Sequence, residues 1–306
     1  GVAGVLCFSP FGLFWLAPLV VAGLFLLVDG AGGQRAAAWL GWSFGLGFFL
    51  GGTSWVYVSL SVFGAMPWWL AAPATVLFCA VLALFPALAC GLYGRWRPAT
   101  SLGRSLHFAG LMALAEWLRG WLFTGFPWLS LGYSQTPPSP LAGYGPLLGV
   151  YGLSLLVLLA VALLPRWRIG LPGLALLLAA GAGLRTVAWS AAVGEPVAVA
   201  LVQGNIPQSL KWQPEQFLRT LFLYRDLVER HPAQLTVLPE TALPAFFDQL
   251  PPDFIAELKR LARRRDGDLI LGVPSGAGER YWNSAVTLGA SPLQTYSKIH
   301  LVPFGE

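Results

Sequence analysis

A multi-pass α-helical membrane bundle joined to a smaller α/β domain is the fold class that this sequence predicts, on three observations. The 306 residues are 56% hydrophobic and only 11% charged, against about 25% charged in an ordinary soluble domain. The charges are unevenly spread. As far as Ser190 the only acids are Asp29 and Glu116, and apart from His107 the only basic residues are Arg35, Arg95, Arg97, Arg104, Arg119, Arg166, Arg168 and Arg185. From Pro196 the pattern changes to short apolar runs alternating with amphipathic segments, as in layered strands and helices. Lipid is therefore the expected solvent of residues 1–191, and water that of residues 192–306.

Taken in order, residues 1–9 read as the tail of a first span, broken at Pro10; because Gly1 stands where an initiator Met would, the start of that span is expected upstream. Residues 11–28, 37–62, 65–93, 106–123, 147–164 and 169–191 supply six more apolar runs, near the roughly 20 residues that one crossing needs. All must be helical, because lipid offers backbone groups no partners. Arg35, Arg95, Arg97, Arg104, Arg166 and Arg168 fall in alternate connections, and the connections between carry neither Lys nor Arg. By the positive-inside rule the arginine loops face the cytoplasm, so the polar domain after the seventh span lies outside the cytoplasmic membrane. The net charge of +5 follows from these loops and is no nucleic-acid signal. Cys7, Cys79 and Cys90 lie inside apolar runs, with neither metal-ligand spacing nor a disulfide framework, and no metal or cofactor is expected.

Two stretches on the outer side carry aromatics and hydroxyls: Thr53-Ser54-Trp55-Val56-Tyr57-Val58-Ser59, and the uncharged loop from Gly125-Phe126-Pro127-Trp128 through Tyr133 to Gln135. An interfacial aromatic belt explains them, and so does a lipid-facing groove built from Trp55, Tyr57, Trp128 and Tyr133. Glu116 and Arg119, three apart on one helical face, are spaced to pair. Arg185 is placed to snorkel toward lipid phosphates.

In the polar domain, residues 197–203, 235–238, 269–273, 282–288 and 295–299 read as strands. Residues 213–230 read as a helix with Phe217, Leu221, Tyr224 and Val228 on one face, and residues 253–265 as another. Chemistry in such sheets collects at the carboxyl ends of strands. Glu240 follows the second strand, Asn283 and Ser284 lie beyond the third, and Lys298 sits on the last. A carboxylate and an ammonium in those places suit proton removal and oxyanion stabilisation. A helix first-turn glutamate and a solvated lysine are the plainer readings of the same residues.

The wording around these residues resembles the apolipoprotein N-acyltransferase family. Gln203-Gly204-Asn205-Ile206-Pro207-Gln208-Ser209-Leu210-Lys211-Trp212, Leu238-Pro239-Glu240-Thr241-Ala242-Leu243-Pro244 and His300-Leu301-Val302-Pro303-Phe304-Gly305-Glu306 carry the likeness in the polar domain. Glu116-Trp117-Leu118-Arg119-Gly120-Trp121 and the two outer stretches carry it in the apolar half. The resemblance implies a nitrilase-like, αββα-type domain on the periplasmic face of the bacterial inner membrane, with a Glu-Lys-Cys triad. On it, Glu240 is the general base and Lys298 stabilises the oxyanion, while Glu306, Trp212 and Asn283 match supporting residues. It also implies acyl transfer from a phospholipid, typically phosphatidylethanolamine, to the α-amino group of the diacylglyceryl-cysteine of a lipoprotein, through an enzyme thioester. The family's nucleophilic cysteine falls beyond Glu306, so the domain is expected to be incomplete at its C-terminus. A membrane-tethered amidase, a transporter and a catalytically incomplete binding scaffold are the competing readings.

Overall fold

The computed structural model describes residues 1–163, 167–278 and 280–301. Contacts divide them into two compact units, Gly1–Ala191 and Ala192–Leu301.

The first unit is helical: α1 (Leu16–Asp29), α2 (Gln34–Thr53), α3 (Trp55–Val58), α4 (Trp68–Leu82), α5 (Leu84–Arg95), α6 (Ser101–Arg119), α7 (Gly145–Leu163) and α8 (Trp167–Leu184). Two stretches, Trp68–Arg95 and Pro140–Val161, are long and apolar enough to cross a membrane, and the bent pair Gln34–Thr53 and Trp55–Phe63 makes a third if it is one span. Those segments carry the length expected of spans. The stretch expected at 11–28 forms a helix of 14 residues, Leu16–Asp29, and residues 1–9 hold a 3₁₀ helix, Val2–Cys7.

The continuous span expected over 37–62 is broken by a bend of 52°. Thr53 Oγ1 donates back to Phe49 O at 2.8 Å, and Ser61 Oγ to Tyr57 O at 2.7 Å. Hydroxyls bonded four residues back bend helices in this way. Helices α2 and α5 approach closely because Gly41 and Gly45 face the second of them. A Cβ on Gly41 would lie 2.5 Å from Pro86 O, and one on Gly45 2.6 Å from Pro86 Cγ, so small residues set this contact. Asp29 ends α1 and accepts from Tyr93 Oη and from Arg104 Nη1 at 3.3 Å, while Arg97 Nη2 donates to Val28 O and Ala31 O at 3.1 Å. Arg97 and Arg104, which the sequence places by topology alone, therefore also fasten α1 to the α5–α6 corner.

The second unit is a five-stranded mixed sheet in the order β1-β2-β3-β4-β5: β1 (Val199–Leu201), β2 (Leu235–Val237), β3 (Asp268–Ala277), β4 (Arg280–Gly289) and β5 (Thr295–Ser297). The first three strands pair in parallel and the last three antiparallel. The short α9 (Gln208–Lys211) leads into α10 (Pro214–Arg230), and α11 (Pro252–Arg263) joins β2 to β3. Both longer helices begin with Pro in the first turn and an acid beside it, Glu215 or Asp253, and end on arginine. Proline suits the first turn, and these charges match the helix dipole. Leu221, Tyr224 and Val228 of α10 and Leu258 and Leu261 of α11 close over Leu269, Leu271, Val273, Val286 and Leu288 of the sheet. Each fully buried apolar side chain there contributes about 1.5–3 kcal/mol, enough to hold the sheet rigid beneath its loops.

Candidate active site

Glu240 stands in the turn that leaves β2. Two features put it there. Leu238 N–H donates to Ile270 O at 2.9 Å and Ala242 N–H to Gly272 O at 2.8 Å, laying the turn along β3. Gly272 makes room for it: a Cβ at that position would fall 2.2 Å from Pro239 O and 2.9 Å from the Glu240 Cα. Thr241 then adopts φ +48°, a left-handed conformation that costs a β-branched residue about 1–3 kcal/mol. Strain of that size beside a candidate base is held by the hydrogen bonds on either side.

Lys298 and Asn283 reach the same carboxylate from the other side of β3. Serine hydroxyls bridge the three strands, with Ser275 Oγ 2.7 Å from Ser284 Oγ and Ser284 Oγ 3.1 Å from Ser297 Oγ. Ser297 pairs with Ser284, and Lys298 N–H donates to Asn283 O at 2.8 Å. Strand β5 ends at Ser297, so Lys298 lies one residue past the strand expected to carry it, while Asn283 lies within β4, on the strand expected over 282–288. Glu240 Oε1 accepts from Asn283 Nδ2 and stands 3.5 Å from Lys298 Nζ. Among the described residues no donor reaches Oε2. The Glu240 side chain is 63% exposed and that of Lys298 28%. An ion pair so open to water contributes about 0–1 kcal/mol to folding, so stability alone does not account for it. A carboxylate with one oxygen tied and the other open can take up a proton, and an ammonium beside it can meet a developing oxyanion.

Lys211, a residue passed over as a site candidate in the sequence, also belongs here: Nζ donates to the Glu240 main-chain carbonyl at 3.5 Å. Burial pushes its ammonium below the usual lysine range, and the Glu240 charge partly offsets that. Trp212, just after α9, is exposed, and no hydrogen bond or ring contact among the described residues links it to Glu240. Glu306 lies outside the described residues. Cys7, Cys79 and Cys90 are buried in the helical unit, so none belongs to the unit that carries Glu240.

In the helical unit, Trp55 and Trp128 come together, with ring centroids 5.3 Å apart, and Phe126 lies 6.4 Å from each. Tyr57 and Tyr133 are exposed and make no ring contact with that cluster among the described residues. The Trp55 indole N–H is buried without a partner among the described residues, an open donor in an apolar cluster. The expected Glu116–Arg119 ion pair is replaced by a brace. Among the described residues the two make no salt bridge. Instead Arg119 Nη1 donates to Phe126 O and, at 2.7 Å, to Trp128 O, while Glu116 accepts from Leu131 N–H at 2.8 Å and from Ser154 Oγ. Arg185 Nη1 donates to Pro138 O at 3.2 Å. A cavity of about 70 Å³ between the helices touches Phe44, Phe49, Glu116 and Arg119; it has room for about two waters, far less than an acyl chain.

The mixed α/β sheet gathers a glutamate, an asparagine and a lysine at one cluster near strand ends, the arrangement of an acid–base enzyme site, and apolar helices precede it in the sequence. The comparisons agree with both halves: residues 1–163 match the apolipoprotein N-acyltransferase N-terminal domain and residues 198–306 the carbon-nitrogen hydrolase domain. The chain belongs to the apolipoprotein N-acyltransferase family, within the nitrilase superfamily. It is 46% identical over 315 residues to the apolipoprotein N-acyltransferase of Nitrosomonas europaea, covering 100% of this chain and 63% of that protein. Relatives of the same name from Chromobacterium violaceum and Ralstonia nicotianae are 42% and 43% identical, each matched over 100% of this chain and 61% of the relative. The chain thus spans between 61% and 63% of the length of these relatives.

Gly272 offers a test of how Glu240 is positioned. Gly272→Ala forces the Pro239–Glu240 backbone away from β3. It is expected to lower stability by about 1–3 kcal/mol, the range for overpacking, seen as a fall in unfolding temperature. The Leu238 and Ala242 N–H groups, which donate to β3, should lose hydrogen-exchange protection in the same variant; retained protection would show that the sheet accommodates the methyl without moving the turn.

Proposed function

We propose that this chain carries the base and the oxyanion-side lysine of a lipoprotein N-acyltransferase. The observation that supports it most is Glu240 Oε1 held between Asn283 Nδ2 and Lys298 Nζ, in a chain whose other unit has helices apolar enough for a membrane. In this reading residues 1–191 form a multi-pass bundle of about seven spans in the bacterial inner membrane. Residues 192–306 are then the first part of a periplasmic nitrilase-like, αββα-type domain.

Glu240 Oε2 takes the proton of a cysteine thiol supplied beyond Glu306. The thiolate adds to an ester carbonyl of the phospholipid donor, typically phosphatidylethanolamine, and the Lys298 ammonium stabilises the oxyanion. Collapse expels the lysophospholipid alkoxide, which takes the proton from Glu240, and leaves an acyl thioester. The α-amino group of the diacylated apolipoprotein then attacks the thioester; Glu240 takes the amine proton and returns it to the departing thiolate. Glu306 and Trp212 serve as supporting residues at the mouth. Trp55 and Trp128, with Tyr57 and Tyr133 farther out, form the lipid-facing groove, and the open Trp55 N–H is a donor for a lipid ester carbonyl.

Incubating the full-length protein with acyl-labelled phosphatidylethanolamine tests this. Label is expected on the protein, released by neutral hydroxylamine and passed to a diacylglyceryl-cysteine peptide. Protein that stays unlabelled yet hydrolyses simple amides would instead establish the membrane-tethered amidase.

A further inference from the structure

We propose that Ser284 is a positioning residue whose hydroxyl holds the register of β5 on β4, and with it the Lys298 ammonium beside Glu240. This rests on the reading of Lys298 as the oxyanion-side lysine. Strand β5 is a weak element: it has three residues and meets β4 at three positions. Thr295 and Tyr296 are exposed, so no buried apolar side chain of the strand decides which residues face each other. Register matters all the same. A slip of one residue carries every side chain to the opposite face of the sheet, and Lys298 would go with them. At the far end of the hairpin Thr287 pins the chain, its Oγ1 accepting from Gln294 N–H at 2.8 Å and donating to Pro292 O at 3.3 Å. At the end beside the site the pin is Ser284.

Ser284 is 4% exposed. It pairs with Val273 of β3 and Ser297 of β5, and its Oγ lies 2.7 Å from Ser275 Oγ and 3.1 Å from Ser297 Oγ. Among the described residues these three hydroxyls bond only to one another. The row continues the buried face of β3 and β4, which holds Leu271, Val273, Val286 and Leu288. Side chains alternate along a strand, so Asn283 and Lys298 stand on the other face, as does Gly272, over which the Glu240 turn passes. Apolar side chains at the three serine positions would extend the core but let the strands slide. Hydroxyls on three adjacent strands bond at one offset only, as cross-strand serine and threonine pairs do. Next to the Ser284–Ser297 pair, Lys298 N–H donates to Asn283 O at 2.8 Å, so the register set on the core face is delivered to the site face.

The test uses the full-length protein with Ser284→Ala, which breaks both hydroxyl contacts. Ser297→Ala breaks only the one to β5, and it serves alone if Ser284→Ala misfolds. A carbodiimide joins a carboxylate directly to an ammonium only where the two touch. The yield of the Glu240–Lys298 amide, read by mass spectrometry, therefore reports register without turnover. It is expected to fall severalfold in both variants, and the Lys298 N–H to exchange about tenfold faster. For thioester formation kcat should fall about tenfold with KM for the donor unchanged, because a misplaced group costs rate rather than binding. The double variant should lose no more than Ser284→Ala, since both changes remove one and the same β4–β5 contact. Additive losses overturn the proposal. So does a lower unfolding temperature with wild-type crosslinking, which would leave Ser284 a packing residue. If the wild-type protein forms no thioester but the crosslink still falls in Ser284→Ala, the acyltransferase reading falls and the role of Ser284 stands. If the crosslink keeps its wild-type yield, the role of Ser284 falls whatever the activity.

Discussion

Glu240→Gln in the full-length protein is expected to cut thioester formation from phospholipid by about 10²–10⁴-fold, the usual contribution of a positioned general base. The substitution is conservative in every respect but one. The amide oxygen of the substituted side chain can still accept from Asn283 and Lys298, and the exposed ion pair it replaces contributes about 0–1 kcal/mol. Unfolding temperature should therefore stay close to wild type, and KM for the donor should change little, so that the loss falls on kcat. Undiminished labelling by acyl-labelled phospholipid would remove Glu240 as base. A loss confined to KM would recast it as a binding residue. Glu240→Asp should be nearly as impaired, because shortening the side chain by one carbon withdraws it from the 3.5 Å approach to Lys298 Nζ.

What the sequence disclosed and what it hid divide along a physical line. The α10 face was legible, since Leu221, Tyr224 and Val228 recur at helical spacing and one burial direction accounts for them. The parallel-then-antiparallel strand order was beyond the reach of periodicity, because pairing is decided between segments far apart in the chain. Glu240, Asn283 and Lys298 could be singled out by motif, yet their meeting depends on Gly272, whose only signal is the absence of a side chain. The bend after Thr53 depends on where a hydroxyl donates, and apolar residues run straight through it in the sequence. Glu116 and Arg119 show the sharpest divergence: spacing three apart permits pairing, but the unpaired carbonyls and N–H groups of an irregular loop compete for the same side chains. Buried backbone groups must be satisfied, and here the loop takes precedence.

That competition makes Arg119 the residue of the helical unit whose loss should cost most. It is 4% exposed, its guanidinium lies 5.2 Å from the Phe49 ring centre, and one nitrogen serves two carbonyls, Phe126 O and Trp128 O. Arg119→Leu fills much of the volume but leaves both carbonyls without a donor, at about 1–3 kcal/mol each, and leaves Glu116 without a nearby cation. A total loss of about 3–5 kcal/mol is expected, the range for stranding one partner of a buried charged network. Arg119→Lys should recover only part of it, because the shorter lysine side chain brings its ammonium short of the place where Nη1 meets both carbonyls and takes the guanidinium plane away from Phe49. The loss should be local before it is global: Trp128 is held by its own carbonyl, so the Trp55–Trp128 contact loosens first. Thermal unfolding in lipid nanodiscs, read together with proteolysis of the loop between α6 and α7, measures both effects. Wild-type stability with faster cleavage of the loop would confine Arg119 to local bracing. Wild-type behaviour in both would mean that water replaces the guanidinium as donor to the two carbonyls, and the aromatic cluster would then need another cause for its packing.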